Sequence, residues 1–255
     1  MNFKNERCDI IIQAGQSNSE GCGIGPAAKP YVKNDNVWFM NSDLSIVPAG
    51  EHHWDTGEAV SDFSLSFSEE YLANGDLPPG RKLLILRSAV GGTGFCDKRW
   101  GMKDDLYLKM MEMIQASLAL NKENRLVALL WHQGETDTGA TPDAGPSASR
   151  DRHFANLSGL VKSVRETFGC PDLPFVAGDF VNEWKSANIA ACEPVVSAIK
   201  DVCDKIGSAG FVETADLPSN NQAIGNGDTI HFCREAQYTL GRRYYKAFKE
   251  IGEKQ

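Results

Sequence analysis

The chain lacks most of the features that place a protein in a specialised class. No apolar run approaches the roughly 18 residues that cross a bilayer. The opening residues, MNFKNERCD, hold no apolar core of the kind that directs secretion, so a cytoplasmic protein with no membrane partner is expected. Basic side chains are the minority: 26 Lys and Arg against 34 Asp and Glu leave a formal charge of −8. Gripping a phosphate backbone needs a basic face, so no nucleic-acid partner is expected. The seven cysteines are odd in number and scattered, with no C-x-x-C pair. They suit neither a disulfide framework nor a structural zinc site and read as free thiols packed like small hydrophobes. No Walker sequence occurs, and Gly21-Cys22-Gly23-Ile24-Gly25-Pro26 fails as a dinucleotide fingerprint, because proline takes the sixth position and no strand directly precedes it. His52-His53 with Asp55 makes a poor metal site, since adjacent histidines share no helix or strand face. No metal and no cofactor are expected.

What remains is an ordinary globular composition, 42% hydrophobic and 24% charged over 255 residues, read as one domain spanning residues 1–255. Short runs that are apolar throughout recur at Cys8–Ala14, Lys82–Ser88, Leu126–His132, Leu173–Gly178 and Gly210–Thr214. Runs of that kind suit strands of a parallel sheet covered on both faces. Apolar spacings of three and four predict helices over Ser64–Ala73, Leu106–Leu120, Phe154–Phe168, Pro194–Ile206 and Glu235–Ile251. Val37–Val47 reads as a small hairpin around Asn41–Asp43, and Thr138–Ser149 as a mobile loop. The alternation predicts an α/β fold, a three-layer, doubly wound sandwich with a five-stranded parallel sheet of flavodoxin-like kind.

On such a sheet, ligands bind at the carboxyl ends of the strands. Four polar, glycine-bearing clusters follow the predicted strands: Gly15–Gly21, Ser88–Gly94, Trp131–Asp137 and Asp228–Phe232. Together they hold the parts of a serine hydrolase. Ser17 sits where a strand turns into a helix, near free backbone N–H groups. A hydroxyl needs a base to take its proton, and His231 has a suitable reference pKa. Asp228, three residues earlier, can reach the other ring nitrogen and fix its tautomer. The N–H groups of Ser17 and Gly92 and the side-chain amide of Gln133 are candidate oxyanion donors. Each element has a plainer reading: Ser17 as a helix N-cap, Gly91-Gly92 as a turn, Asp228 and His231 as a cap for the last helix, Gln133 and Glu135 as loop ties. Ser17 is not in a G-x-S-x-G elbow, because position 19 is serine.

Gly15-Gln16-Ser17-Asn18, Gly91-Gly92-Thr93, Trp131-His132-Gln133-Gly134-Glu135-Thr136-Asp137 and Asp228-x-x-His231 resemble the four blocks of SGNH-fold carbohydrate acetylesterases. The similarity is to the branch of sialate O-acetylesterases and acetylxylan esterases, and Lys98-Arg99-Trp100-Gly101 is similar to the bacterial sialate O-acetylesterases. The resemblance implies hydrolysis of O-acetyl groups on sugars, with Ser17 as nucleophile, His231 as base, Asp228 as its partner and Gly92 as oxyanion donor. Gln16 stands where the wider superfamily has Asp, and Gln133 where it has Asn. Gln16, Arg99, Trp100 and Glu135 are expected to contact the sugar, and Trp54, Trp100, Trp131 and Trp184 offer rings suited to sugar faces. Two rival readings are a general small-ester or lipid esterase on the same scaffold and a non-catalytic glycan-binding protein. The acidic chain lacks an apolar lid, which argues against lipid, and a binding module has no need of a serine and histidine pair. Glu135 is an alternative to Asp228 as the carboxylate that orients His231.

Overall fold

In the computed structural model, which describes residues 2–141 and 145–253, the three isoleucines Ile10–Ile12 lie at the centre of the sheet. The strands in chain order are β1 (Arg7–Gly15), β2 (Val37–Met40), β3 (Ile46–Pro48), β4 (His52–His53), β5 (Ala59–Val60), β6 (Arg81–Arg87), β7 (Arg125–His132), β8 (Phe175–Gly178) and β9 (Ala209–Val212). The main sheet runs β3-β2-β6-β1-β7-β8-β9, and β4 and β5 form a separate hairpin. The five expected strands are thus contiguous and parallel, β6-β1-β7-β8-β9, but the sheet has seven strands rather than five. β2 adds a sixth parallel strand, aligned Val37 to Leu83 through Met40 to Leu86, and β3 pairs with it antiparallel. The hairpin read at residues 37–47 therefore completes the sheet, because Val37 and Phe39 cover the otherwise open edge of β6 with apolar surface.

Every second side chain of a strand faces the same layer. Ile10 and Ile12 of β1 pack with Leu84, Leu86 and Leu129 against α3 (Asp105–Ala119), α4 (Arg150–Thr167) and α6 (Ile189–Lys205). Ile11 faces the other way, with Leu83, Ile85 and Leu130, against α2 (Phe63–Ala73) and α8 (Arg234–Glu253). All three isoleucines are fully enclosed, and each contributes about 1.5–3 kcal/mol of burial. This two-sided enclosure explains why the strand reads as continuously apolar. α6 begins five residues before the expected Pro194, which lies inside the helix. The short helices α1 (Ser17–Glu20), α5 (Asn182–Ala187) and α7 (Asn220–Ile224) complete the set. Of the segment Thr138–Ser149, residues 142–144 lie outside the described residues, and 136–138 form a 3-10 turn.

The amino-terminal edge of the sheet is fastened by Asp9. Its buried carboxylate accepts hydrogen bonds from Arg81 at 2.6 Å, Arg125 at 2.7 Å and the Tyr71 hydroxyl at 2.8 Å. Burial alone would raise this carboxyl. The bonds from Arg125, Tyr71 and Arg81 outweigh it and hold the group below the usual carboxylate range. The opposite edge is left to the loops that carry the polar clusters.

Candidate active site

β1 ends in a turn that only glycine can make. Gly15 has φ of +133°, and a Cβ there would lie 2.1 Å from the carbonyl oxygen of His132 on the neighbouring strand. The chain then enters α1, with Ser17 as its first residue, at the edge where β6 and β7 diverge on either side of β1. This is the topological switch point at which open α/β sheets bind ligands. The first N–H groups of a helix have no acceptor within it, so the Ser17 turn presents donors at the rim.

The segment before α8 brings the other groups to Ser17. His231 Nε2 lies 2.9 Å from Ser17 Oγ, although the two residues are 214 positions apart. On the far side of the ring, Nδ1 lies 3.0 Å from Asp228 Oδ1 and 2.9 Å from Oδ2. The backbone N–H of His231 also donates to Oδ1, and Asn220 Nδ2 donates to Oδ2 at 2.8 Å. Burial tends to raise the Asp228 carboxyl, but the hydrogen bonds from His231 and Asn220 outweigh it and lower the pKa. An ionised Asp228 places the ring proton on Nδ1 and leaves the Nε2 lone pair for the Ser17 hydroxyl.

The loop after β6 closes over the serine. Gly91 N–H donates to Glu20 Oε2 at 2.7 Å, and Val90 N–H to the Gly15 carbonyl at 3.1 Å. A Cβ on Gly91 would lie 3.5 Å from Ser17 Cβ. Gly92 has φ of +69°, and the space beside it is open. With Gly91 held by Glu20, the N–H of Gly92 is the donor of this pair left for a ligand. Gln133 differs from its expected role: it is buried, and its Nε2 is engaged by Asp137 Oδ2 at 3.0 Å and Gln16 Oε1 at 3.4 Å.

The four residues expected to contact a sugar are each engaged within the protein. Gln16 is buried, and its Oε1 accepts from Gly134 N–H, Thr136 N–H and Gln133, tying the turn after β7 to the serine segment. Trp100 is fully enclosed, edge-on to Trp131, with its indole N–H on Thr93 Oγ1 at 2.9 Å. Arg99 is half-buried and paired with Asp105 at 2.8 Å. Glu135 is fully buried and accepts from Asn18 Nδ2 at 2.9 Å, so it bonds to the residue after Ser17 rather than to His231. Burial raises its carboxyl, only partly offset by Asn18, which favours the neutral acid. Trp131 is enclosed and Trp184 nearly so, which leaves Trp54 as the exposed indole of the four candidates. Sequence reading passed over Asn18, Glu20 and Asn220 as working groups, because their partners are distant in the chain.

A cavity of about 670 Å³ adjoins the serine segment, with Glu20, Arg87, Ser88, Val90 and Leu106 among its walls. A larger cavity of about 770 Å³ lies along α4 near Phe154 and Arg165, and none of its walls comes from the Ser17, Gly92 or His231 segments. Ser19 and Glu20 of α1 and Val90 of the loop after β6 line the smaller cavity, so it borders the serine segment, while Ser17, Gly92 and His231 are not among its walls. Among the described residues, no group of three or more His, Cys, Asp or Glu is arranged to hold a metal ion. No helix among them is long and apolar enough to cross a membrane.

The fold is a three-layer α/β sandwich of the kind seen in SGNH/GDSL hydrolases. Residues 7–250 match the family described as SASA, carbohydrate esterase, sialic acid-specific acetylesterase, and the chain belongs to that family. It is therefore a carboxylic-ester hydrolase of the carbohydrate-esterase class. Among solved structures it resembles NanS, at 17% identity and a TM-score of 0.78, covering 98% of this chain and 99% of that one. A protein from Arabidopsis thaliana aligns at 20% identity and a TM-score of 0.71, covering 95% and 98%. A carbohydrate acetylesterase from Xanthomonas citri aligns at 16% identity and a TM-score of 0.64, covering 97% of this chain and 57% of that one. These likenesses bear on the fold. No curated protein sequence matches the chain.

Proposed function

We propose that the protein is a serine O-acetylesterase that removes acetyl groups from sugar hydroxyls. The observation that carries this reading is the continuous hydrogen-bonded chain from Ser17 Oγ through both His231 nitrogens to Asp228, in a member of a sialic acid-specific acetylesterase family. In the first half-reaction, the Ser17 proton passes to His231 Nε2 while Oγ bonds to the acetyl carbon and the carbonyl oxygen becomes an oxyanion. The N–H groups of Ser17 and Gly92 stabilise that charge, each contributing about 10²–10³ in rate. Collapse breaks the bond to the sugar oxygen, which takes the proton from His231. In the second half, water gives a proton to His231 and its oxygen attacks the acyl carbon. The carbon–Oγ bond breaks, the proton returns to Ser17, and acetic acid leaves, giving up its remaining proton to solvent to become acetate. Asp228 holds the ring and stabilises the imidazolium in both halves.

The substrate we favour is an O-acetylated sialic acid, on the strength of the family match. Acetylated neutral sugars of the xylan type are the second reading. One observation favours it: Arg87 donates to the Glu20 carbonyl and stacks on Phe39, and Arg99 is paired with Asp105, so both arginines have partners already. Acetate release from O-acetylated sialic acid and from acetylated xylose oligomers, measured side by side with Ser17→Ala as control, tests the proposal. A kcat/KM at least tenfold higher on the sialic acid is expected. Preference for the neutral oligomers establishes the second reading, and unchanged activity in Ser17→Ala overturns the serine mechanism.

A further inference from the structure

We propose that Asn18 is the positioning residue of this site: its one side-chain amide ties the chain on both sides of His231 to buried Glu135 and thereby holds the imidazole against Ser17. The inference rests on the serine reading above and adds to it a residue that touches neither substrate nor the reacting atoms.

The geometry is specific. Asn18 follows Ser17 in α1 and is fully buried. Its Nδ2 donates to Glu135 Oε1 at 2.9 Å and to the carbonyl of Ile230 at 3.0 Å. Its Oδ1 accepts the N–H of Phe232 at 3.1 Å. Ile230 and Phe232 are the residues immediately before and after His231. The opposite amide orientation would place NH₂ against the Phe232 N–H and oxygen against the Ile230 carbonyl, two repulsive pairs in place of two bonds. The backbone carbonyl of Asn18 is held by Gln237 Nε2 at 3.1 Å, which anchors the residue to α8 from the other side.

Each partner has a reason to be there. The amide needs a fixed acceptor for its second proton at a place closed to water, and Glu135 supplies one from the turn after β7. The bond uses only an oxygen lone pair of Oε1, so an uncharged acceptor there serves as well as a carboxylate. The nucleophile and the peptide units flanking its base therefore share two consecutive residues of one short helix. The 2.9 Å contact between Ser17 Oγ and His231 Nε2 is then set before any substrate binds. A misplacement of about 1 Å at a reacting pair can cost about 10² in rate. Loss of the Asn18 amide should fall on kcat, because nothing in this network touches the sugar.

Asn18→Asp keeps the shape of the side chain but puts an oxygen against the Ile230 carbonyl and Glu135. It should lower kcat by about 10² or more, with KM within about threefold. The rate at which a serine-directed organophosphonate labels Ser17 should fall in parallel, since that reaction reports on activation by His231 and not on sugar binding. A second pair of variants covers the case in which Asn18→Asp does not fold. Glu135→Leu removes the acceptor and should cost at least tenfold in kcat at unchanged KM, and Glu135→Gln should recover most of that loss. The inference is overturned if Asn18→Asp folds and retains kcat within threefold. It is equally overturned if Glu135→Gln falls as far as Glu135→Leu, because a charge and not a fixed acceptor would then be what the site requires. Ser17→Ala separates the two layers of argument. An inactive Ser17→Ala beside an unimpaired Asn18→Asp removes this inference alone, whereas an active Ser17→Ala removes the serine reading beneath it.

Discussion

Replacing Asp228 by asparagine tests the tautomer argument more sharply than removing the side chain. The substitution is isosteric, and Asn220 Nδ2 already donates to the position of Oδ2 at 2.8 Å. Keeping its oxygen there leaves an acceptor 2.9 Å from His231 Nδ1 but turns the NH₂ toward the position of Oδ1, which lies 3.0 Å from Nδ1 and faces the His231 backbone N–H. The carboxylate charge that stabilises the imidazolium is lost, and where the NH₂ donates to Nδ1 the ring proton moves to Nε2, facing Ser17 Oγ. Two hydrogens then meet where one hydrogen bond had been, and the histidine can no longer take the serine proton. Changes of this kind in serine–histidine–aspartate sites cost about 10⁴ in kcat, which is about 5 kcal/mol of transition-state stabilisation. Steady-state kinetics of acetate release should show that loss in kcat with KM nearly unchanged. Circular dichroism and thermal unfolding should confirm an intact fold. A folded Asp228→Asn enzyme within tenfold of the parent kcat would refute the reasoning.

Three further outcomes follow from particular contacts. Trp100→Phe removes a fully enclosed indole and its bond to Thr93, so it should lower unfolding stability by about 1–3 kcal/mol in a urea titration and leave KM alone. A rise in KM beyond threefold at unchanged kcat would return Trp100 to the substrate. His132 is buried against Tyr244, and burial pushes its pKa down to about 3. The unfolded chain therefore takes up a proton below about pH 6.5 that the folded one refuses, so stability is full above that pH and falls by about 1.4 kcal/mol per unit as the medium is acidified toward pH 3. Denaturant midpoints across pH 7 to 4 should show a shallower decline in His132→Gln, and an unchanged slope would show that His132 is not the group responsible. Prolonged dialysis against a strong chelator should leave the esterase rate unchanged, since the proposed steps draw nucleophile and base from Ser17 and His231. Loss of activity restored by zinc or manganese would contradict that.

The parts of the molecule legible in the sequence are those governed by local rules. A run such as Ile10–Ile12 reads as a strand because both of its faces are covered, and the three-residue spacing of Asp228 and His231 puts the two side chains within reach whatever the rest of the loop does. The rim position of Ser17 follows from where β1 ends. What escaped reading is set by partners far away in the chain. Val37–Val47 shows a hairpin but not the pairing of Val37–Met40 to Leu83–Leu86 that makes its first arm a strand of the main sheet. Trp100 and Trp54 are both aromatic residues in polar loops, and only packing separates the enclosed one from the exposed one. Gln16 and Gln133 read as site amides, yet they bond to each other, and Gln133 also to Asp137. Asn18 lies inside a recognisable block, but its partners Ile230 and Phe232 are more than two hundred residues away and no spacing announces them.

The central claim is that Ser17 forms the covalent intermediate under the control of His231. Trapping it is the direct measurement: the protein is labelled with a serine-directed organophosphonate, digested, and the modified peptide sequenced by mass spectrometry while residual acetylesterase activity is followed. One equivalent of label on the peptide carrying Ser17, accumulating in step with loss of activity and slowed at least a hundredfold in His231→Ala, is the predicted result. Complete inactivation with the label on another residue, or full labelling of Ser17 with activity retained, would contradict it.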